Sequence, residues 1–188
     1  MDQLLLRVFQ GHVAAQCRFA LAGVPVIDES ARQGDHDRLW IGCQMLVLGA
    51  GNVSKALWGD GRHRRALAPR RRALRESLNV TDASPLHQVA IRNHLEHFDE
   101  RIDCWWRQSS RHNFLDDMIG PPSAVAGFTE IETFRIYDPT PPSGPRIVFW
   151  GQSFDLQPLA EECSRIFTIA SREAGRWPGP KPGGGPTI

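Results

Sequence analysis

The run RLWIGCQMLVLGAGNVSK, residues 38–55, decides the fold class of this chain. No charged side chain occurs between Arg38 and Lys55, which predicts an element that is buried on all sides. The run is shorter than the roughly 20 apolar residues that span a membrane, and Gln44 and Asn52 interrupt it. We therefore predict a buried helix that other helices cover.

This buried run belongs to a long predicted helix that ends at Gly59, since glycine is typical of helix C-termini. Either Asp28 or Ser30 can cap its start, because both side chains accept a hydrogen bond from a free backbone N–H. Glycines inside the run lower its helix propensity, so we expect close contacts with another helix there. These glycines are Gly42, Gly49 and Gly51.

Hydrophobic periodicity and breaker residues predict the remaining elements. The other predicted helices are 3–23, which Gly23-Val24-Pro25 ends, 69–79, which Pro69 begins, 84–108 and 156–174. Two strand-like runs, 128–137 and 146–153, flank a proline-rich loop, as the strands of a hairpin do.

The predicted fold class is mainly α: a helical bundle of four to five helices, with one β-hairpin insertion at about 128–153 before the last helix. Residues 1–175 are expected to form a single domain, because a chain of 188 residues suits one core of ordinary size. The Pro/Gly-rich segment 176–188 is predicted to be a disordered tail.

Composition indicates a globular protein, with 41% hydrophobic and 23% charged residues and a net charge of +1. The four cysteines contain no CxxC pair, so we interpret them as reduced thiols rather than as zinc ligands or a disulfide framework. The start MDQLLLRVF has an acid at position 2 and no long apolar run, which does not resemble a secretory signal. A cytoplasmic location without membrane attachment is the expectation.

Arginines are concentrated in one segment of this nearly neutral chain, where Asp60 and Glu76 are the only acids. Such a block predicts a local face that binds anions such as RNA phosphates. A solvated arginine-rich surface explains the block equally well. The arginines are Arg62, Arg64, Arg65, Arg70, Arg71, Arg72 and Arg75.

The stretch IRNHLEHFDER, residues 91–101, lies in the predicted helix 84–108. An apolar stripe at helical spacing runs along that helix. At about 100° per residue, Asn93 and His97 fall on the side opposite the stripe, and Arg92 projects from the flank. His97 is therefore expected to point away from the core of its own chain. The stripe consists of Ile91, Leu95, Phe98, Ile102 and Trp105.

Two interpretations of this polar face follow from the residues alone. It can be a solvated face with local salt bridges, such as Arg92 to Glu96 and contacts among His97, Glu100 and Arg101. It can also be a metal site, since His94 and His97 are three residues apart, but a di-iron bundle needs further Glu-x-x-His ligands that this chain lacks.

A third interpretation comes from a resemblance. Arg92-Asn93-x-x-x-His97, on a late helix of a small all-α bundle, resembles the signature of the HEPN superfamily. That signature is an arginine followed by a polar residue, often asparagine, with a histidine four to six residues further on. Catalytic members cleave RNA without a metal or other cofactor, usually as dimers in which the two motifs face each other.

The resemblance implies a role for each residue of the motif. His97 would take or give a proton, Arg92 would stabilise charge on the phosphate oxygens, and Asn93 would orient either group. Supporting contacts are expected from His94, Glu96, Glu100 and Arg101.

The resemblance therefore implies a homodimeric endoribonuclease that acts on RNA through its 2′-hydroxyl. A toxin or a phage-defence effector, with an antitoxin or regulatory protein as partner, would fit that activity. The alternative is a non-catalytic helical module that uses the same polar face for dimerisation or for a partner.

Overall fold

The computed structural model describes residues 1–60, 63–88, 90–142 and 144–175. Arg62, the side chain of Ile91 and the predicted tail 176–188 lie outside the described residues. The described chain is mainly helical, with seven α-helices and a four-stranded sheet. The helices are α1 (Gln3–Gln33), α2 (His36–Trp58), α3 (Arg64–Arg70), α4 (Arg72–Ser77), α5 (Ala90–Glu96), α6 (Phe98–Gln108) and α7 (Gln157–Gly175). The strands are β1 (Met118–Ile119), β2 (Ile136–Asp138), β3 (Arg146–Phe149) and β4 (Gln152–Asp155).

The first two helices form an antiparallel pair joined by a tight turn. Gly34, with a φ of 70°, ends α1, and the Asp35 side chain accepts a hydrogen bond from the Arg38 N–H at 3.0 Å to begin α2. The predicted end of the first helix at Gly23-Val24-Pro25 was therefore wrong, as was the predicted start of the second at Asp28 or Ser30.

Continuation of α1 through Pro25 has a packing reason. Proline removes one backbone hydrogen bond from a helix interior. The same segment of α1 buries Gly23, Ile27 and Ser30, and its last turns pack on α2. Burial of that face offsets the lost hydrogen bond, so tertiary contact overrides the local breaker signal.

Glycines bring the two helices close together, as the sequence predicted. A Cβ atom on Gly42 would lie 2.9 Å from the Gly23 carbonyl oxygen, and one on Gly49 would lie 2.7 Å from the Ala20 Cβ. The backbones of α1 and α2 therefore pack without intervening side chains. The last helix, α7, covers another side of α1 with its buried residues Leu159, Cys163, Ile166 and Ala170.

Two other predicted helices differ from the structure. Pro69 lies near the end of α3 rather than opening a helix, and Arg71 separates α3 from α4. The predicted helix 84–108 is divided into a 3₁₀ turn at Pro85–Gln88, then α5 and α6.

The predicted single hairpin is one part of a mixed sheet with the order β1-β2-β3-β4. β1 pairs with β2 in parallel, and the other neighbours are antiparallel. The predicted strand 146–153 is two strands, because Trp150 and Gly151 both adopt positive φ and form the tight turn between β3 and β4. Tyr137 and Ile147 join the helical core from one face of the sheet.

Aromatic rings connect α6 to the sheet. The Phe98 ring centroid lies 5.3 Å from that of Phe134, which in turn lies 5.9 Å from that of Phe149. This cluster holds the segment after α5 against the strands.

In the part of the chain that the structure describes, no helix combines the length and apolar character needed to cross a bilayer.

The close approach of α1 and α2 predicts opposite effects for two Gly→Ala substitutions. Gly49→Ala should lower the free energy of unfolding by about 1–3 kcal/mol, because its new Cβ overlaps Ala20. Gly11→Ala should raise it by about 0.5–1 kcal/mol, since open space surrounds Gly11 and alanine favours the helix. Urea denaturation of both variants measures these changes. Equal effects of the two substitutions would contradict the close packing.

Candidate functional site

The residues that resemble the HEPN motif lie at a break between two helices. α5 ends at Glu96, and His97 has a φ of −113° and a ψ of 38°, outside the helical region. The predicted phase of a single straight helix therefore does not extend from α5 to α6. Ile102 illustrates the change, because this member of the predicted apolar stripe is 38% exposed.

Arg92 is buried, which corrects the prediction that it projects from a flank. Its side chain is only 7% exposed. Nη2 donates hydrogen bonds to Asp60 Oδ1 at 3.0 Å and to Asn93 Oδ1 at 2.8 Å, and Nε lies 3.2 Å from Glu96 Oε2. Three acceptors thus surround the guanidinium, as a buried cation requires.

A glycine on α2 makes room for this arginine. A Cβ atom on Gly51 would lie 2.3 Å from Arg92 Cδ and 2.8 Å from Arg92 Cγ. The aliphatic part of Arg92 therefore occupies the space that any other residue at position 51 would fill. Gly51 was predicted to allow a close helix contact, and its partner is a side chain of α5.

Lys55 and Arg92 hold one carboxylate between them, and we call these two residues the cation pair. Asp60 presents Oδ1 to Arg92 and Oδ2 to Lys55 Nζ, the latter at 3.3 Å, while its own side chain is 53% exposed. Glu96 repeats the arrangement from the other side, with Oε1 3.3 Å from Lys55 Nζ and Oε2 near Arg92. The cation pair therefore binds a two-oxygen anion at the protein surface.

His97 remains accessible beside this arrangement. Its side chain is 53% exposed, and its Nδ1 lies 3.2 Å from Glu100 Oε1. A carboxylate only accepts hydrogen bonds, so it favours the tautomer with the proton on Nδ1. That tautomer leaves the lone pair of Nε2 as the basic site of the neutral ring. Within the described residues, no partner of Nε2 is found.

The neighbours of His97 in the motif have different surroundings. Asn93 is exposed, whereas His94 is buried and stacks on Phe149 with ring centroids 5.1 Å apart. Arg101 lies over the Trp150 ring at 5.2 Å rather than beside Glu100. His94 and His97 therefore do not converge on one point. Among the residues that the structure describes, no group of three or more His, Cys, Asp or Glu side chains is arranged to hold a metal ion.

Burial has an electrostatic consequence at His94. Desolvation lowers the pKa of His94 below its ordinary value, Arg101 lowers it further, and the contact with Gln152 opposes the change. The neutral ring is thus the form that the folded protein favours.

The arginine block makes contacts away from the motif. Arg64 donates to the His87 carbonyl oxygen at 2.5 Å, and the Arg71 guanidinium lies 3.7 Å from the Phe9 ring centroid. Arg72 pairs with Glu76 at 2.7 Å. Arg65 and Arg70 are exposed.

The sequence analysis did not identify Lys55 and Asp60 as site residues. The one available signal was that Lys55 is one of only two lysines in the chain.

Different burial of the two motif residues predicts different effects on stability. Arg92→Ala should lower the free energy of unfolding by about 1.5–3 kcal/mol, the contribution typical of hydrogen bonds to a charged group. His97→Ala should change it by less than about 0.5 kcal/mol, because the imidazole is exposed. Gly51→Ala keeps every charge and should still destabilise the protein by displacing Arg92. Denaturant titration of the three variants measures these free energies of unfolding. Similar losses for Arg92→Ala and His97→Ala would contradict the burial of Arg92 and the exposure of His97.

The buried His94 predicts a loss of stability in mild acid. Its folded-state pKa is lowered, so the unfolded chain binds the proton more tightly. The contribution of His94 is present above about pH 6.5, the ordinary histidine value, and is lost as the pH falls through the lowered folded-state pKa. The urea midpoint of the wild type, measured between pH 7.5 and 5, should fall more steeply with decreasing pH than that of His94→Phe.

Searches against protein-family models, curated proteins and solved structures each found no match to this chain. The assignment of a function therefore depends on the residues and the geometry described above.

Proposed function

We propose that this chain is a metal-independent endoribonuclease of the HEPN type, with His97 as the proton-transfer residue and the cation pair as the phosphate site. The observation that carries the proposal is the exposed Asp60 carboxylate, which Arg92 and Lys55 bind through separate oxygens. A phosphate diester also presents two free oxygens, so it can replace Asp60 between the same two cations.

The accessibility of Asp60 supports this exchange. The Arg92 side chain is 7% exposed and that of Glu96 is 32% exposed, whereas Asp60 is 53% exposed just after the end of α2. Lys55 and Asp60 are both partly exposed, so their ion pair contributes little net stability, because water competes for it. The buried Arg92 requires an anionic partner, and a phosphate that replaced Asp60 would supply one.

His97 supports the chemical step. The neutral imidazole, hydrogen-bonded through Nδ1 to Glu100, would take the proton of the ribose 2′-hydroxyl at Nε2. The 2′-oxygen then bonds to phosphorus as the bond from phosphorus to the 5′-oxygen breaks. A protonated histidine gives its proton to that leaving oxygen. The products are a 2′,3′-cyclic phosphate and a free 5′-hydroxyl.

A homodimer would supply both histidines, one as base and one as acid. In this proposal Arg92 stabilises charge on the phosphate oxygens, Asn93 and Glu96 fix the guanidinium, and His94 and Arg101 fix the position of the helix break. The exposed Arg65, Arg70 and Arg72 would contact RNA phosphates outside the cleavage site. Neither a metal nor another cofactor takes part.

The proposed biological setting follows the resemblance alone. The enzyme would act on RNA in the cytoplasm as a toxin or a phage-defence effector. An antitoxin or regulatory protein would then be its partner.

One observation favours a second candidate, a non-catalytic helical module. Both members of the cation pair already have carboxylate partners within the chain. In that function the polar face around Asn93, His97 and Glu100 would bind a second copy or a regulatory protein instead of RNA.

Cleavage of RNA in the presence of EDTA tests the proposal. The wild type should leave 2′,3′-cyclic phosphate ends, and His97→Ala should reduce the rate by about 10²–10⁴-fold, the usual contribution of a general acid or base. Asp60→Asn should raise RNA affinity several-fold at low salt, because a neutral amide competes less well with phosphate for the cation pair.

Matched variants separate chemistry from folding. His12→Ala removes an exposed histidine of α1 and should leave cleavage unchanged. If the wild type leaves RNA intact while His97→Ala weakens self-association, the non-catalytic module replaces the nuclease. Cleavage that survives the loss of both Arg92 and His97 would rule out the assigned residues.

A further inference from the structure

A cavity of about 380 Å³ opens beside the cation pair. This volume lies at the lower end of the range of small-molecule pockets, roughly 300–1,000 Å³. Its walls come from α2, α5, the start of α6 and the residue before β2. The lining residues are Gln44, Leu48, Leu95, Glu96, Phe98 and Arg135.

Glu96 connects this cavity to the phosphate site of the proposed function. Its carboxylate contacts both Lys55 and Arg92, and the same side chain lines the cavity. The cavity wall also includes Phe98, so both chain neighbours of His97 contribute to it. A group bound in the cavity would therefore lie next to a phosphate held by the cation pair.

The walls of the cavity suit a flat aromatic ring. Leu48 and Leu95 supply apolar surface, and Phe98 supplies an aromatic ring; the Arg135 guanidinium lies 5.3 Å from both the Phe98 and the Trp40 ring centroids and forms the edge of the cavity. Aromatic rings and guanidinium planes are the surfaces on which proteins stack unpaired bases. Salt bridges to Asp116 and Asp117, at 2.5 and 2.8 Å, hold the guanidinium in place.

Two polar groups in the cavity can read the edge of a base. Among the described residues, Gln44 has no side-chain hydrogen-bond partner, so its amide offers both a donor and an acceptor. The Glu96 carboxylate, whose oxygens also contact Lys55 and Arg92, can accept a further hydrogen bond because each oxygen has two lone pairs. Adenine and cytosine both match this pair, because in each the amino group donates and the neighbouring ring nitrogen accepts; the larger purine ring of adenine covers more of the apolar wall.

We infer that the cavity is a nucleobase subsite for an unpaired adenine, adjacent to the phosphate that the enzyme cleaves. This inference rests on the proposed function for its substrate, RNA. The adenine ring packs between Leu48, Leu95 and Phe98. Gln44 donates to the ring nitrogen, and the amino group donates to Glu96. The subsite makes cleavage dependent on the base, whereas the cation pair binds any phosphate.

Binding of adenosine 3′-monophosphate to the full chain tests the subsite without requiring cleavage. Calorimetry at low salt should detect binding, and inosine 3′-monophosphate should bind about tenfold or more weakly, because it has a carbonyl in place of the amino group. Gln44→Ala should weaken binding of the adenosine nucleotide several-fold and reduce that difference, because only adenine has an unprotonated ring nitrogen that accepts from Gln44. Leu48→Trp should fill the cavity and remove binding of both nucleotides.

Two control variants change the same residue types at exposed positions of α1. Gln3→Ala and Leu4→Trp should both retain nucleotide binding and the preference for adenine. If Leu48→Trp does not fold, as circular dichroism would show, the weaker adenosine binding of Gln44→Ala, compared with Gln3→Ala, decides the question by itself.

The outcomes distinguish the subsite from the nuclease. If RNA is cleaved through His97 but the adenine and inosine nucleotides bind equally, the subsite is wrong and the nuclease stands. If adenosine 3′-monophosphate binds and requires Gln44 but RNA remains intact, the subsite stands as a nucleotide-binding pocket and the nuclease is wrong.

Discussion

The structure depends on three glycines of one helix, α2, which leave space for close contacts with other elements. Gly42 and Gly49 let the backbone of α1 approach closely, and Gly51 gives Arg92 of α5 the space for its aliphatic part. Because protein interiors are close-packed, a single added methyl group at these positions must displace a neighbour. One helix therefore determines both the packing of the core and the position of the candidate site.

A buried guanidinium imposes a second requirement, which is a set of anionic partners. Asp60 follows α2 and Glu96 ends α5, so the two carboxylates reach Arg92 from different elements. Lys55 contacts the same two carboxylates, and the four charges sum to zero. The network joins α2 to α5. It also places the carboxylate of Asp60 at the protein surface.

The helix break at His97 separates the tasks of the motif. Arg92 lies before the break, inside the protein, and His97 lies at the break, in contact with solvent. The aromatic cluster of Phe98, Phe134 and Phe149 holds the chain after the break against the sheet. An imidazole at such a point is fixed in position by its backbone while its ring remains accessible, which is the arrangement that the proposed proton transfer requires.

The local sequence pattern was enough to predict the mainly helical class, the buried α2 and the last helix, because hydrophobic periodicity is visible over one or two helical turns. It also predicted the close contacts at Gly42 and Gly49, because small residues let another helix approach. The pattern predicted a helix end at Pro25, but α1 continues there because burial of one helix face outweighs the effect of the proline. It also predicted one continuous helix through His97, whereas α5 ends before His97 and the aromatic contacts of α6 hold the next segment against the sheet. The charge network of Lys55, Asp60, Arg92 and Glu96 arises only in three dimensions. Its members are up to 41 residues apart in the chain, so no local spacing relates them, and only the packing of α5 on α2 brings their charges together.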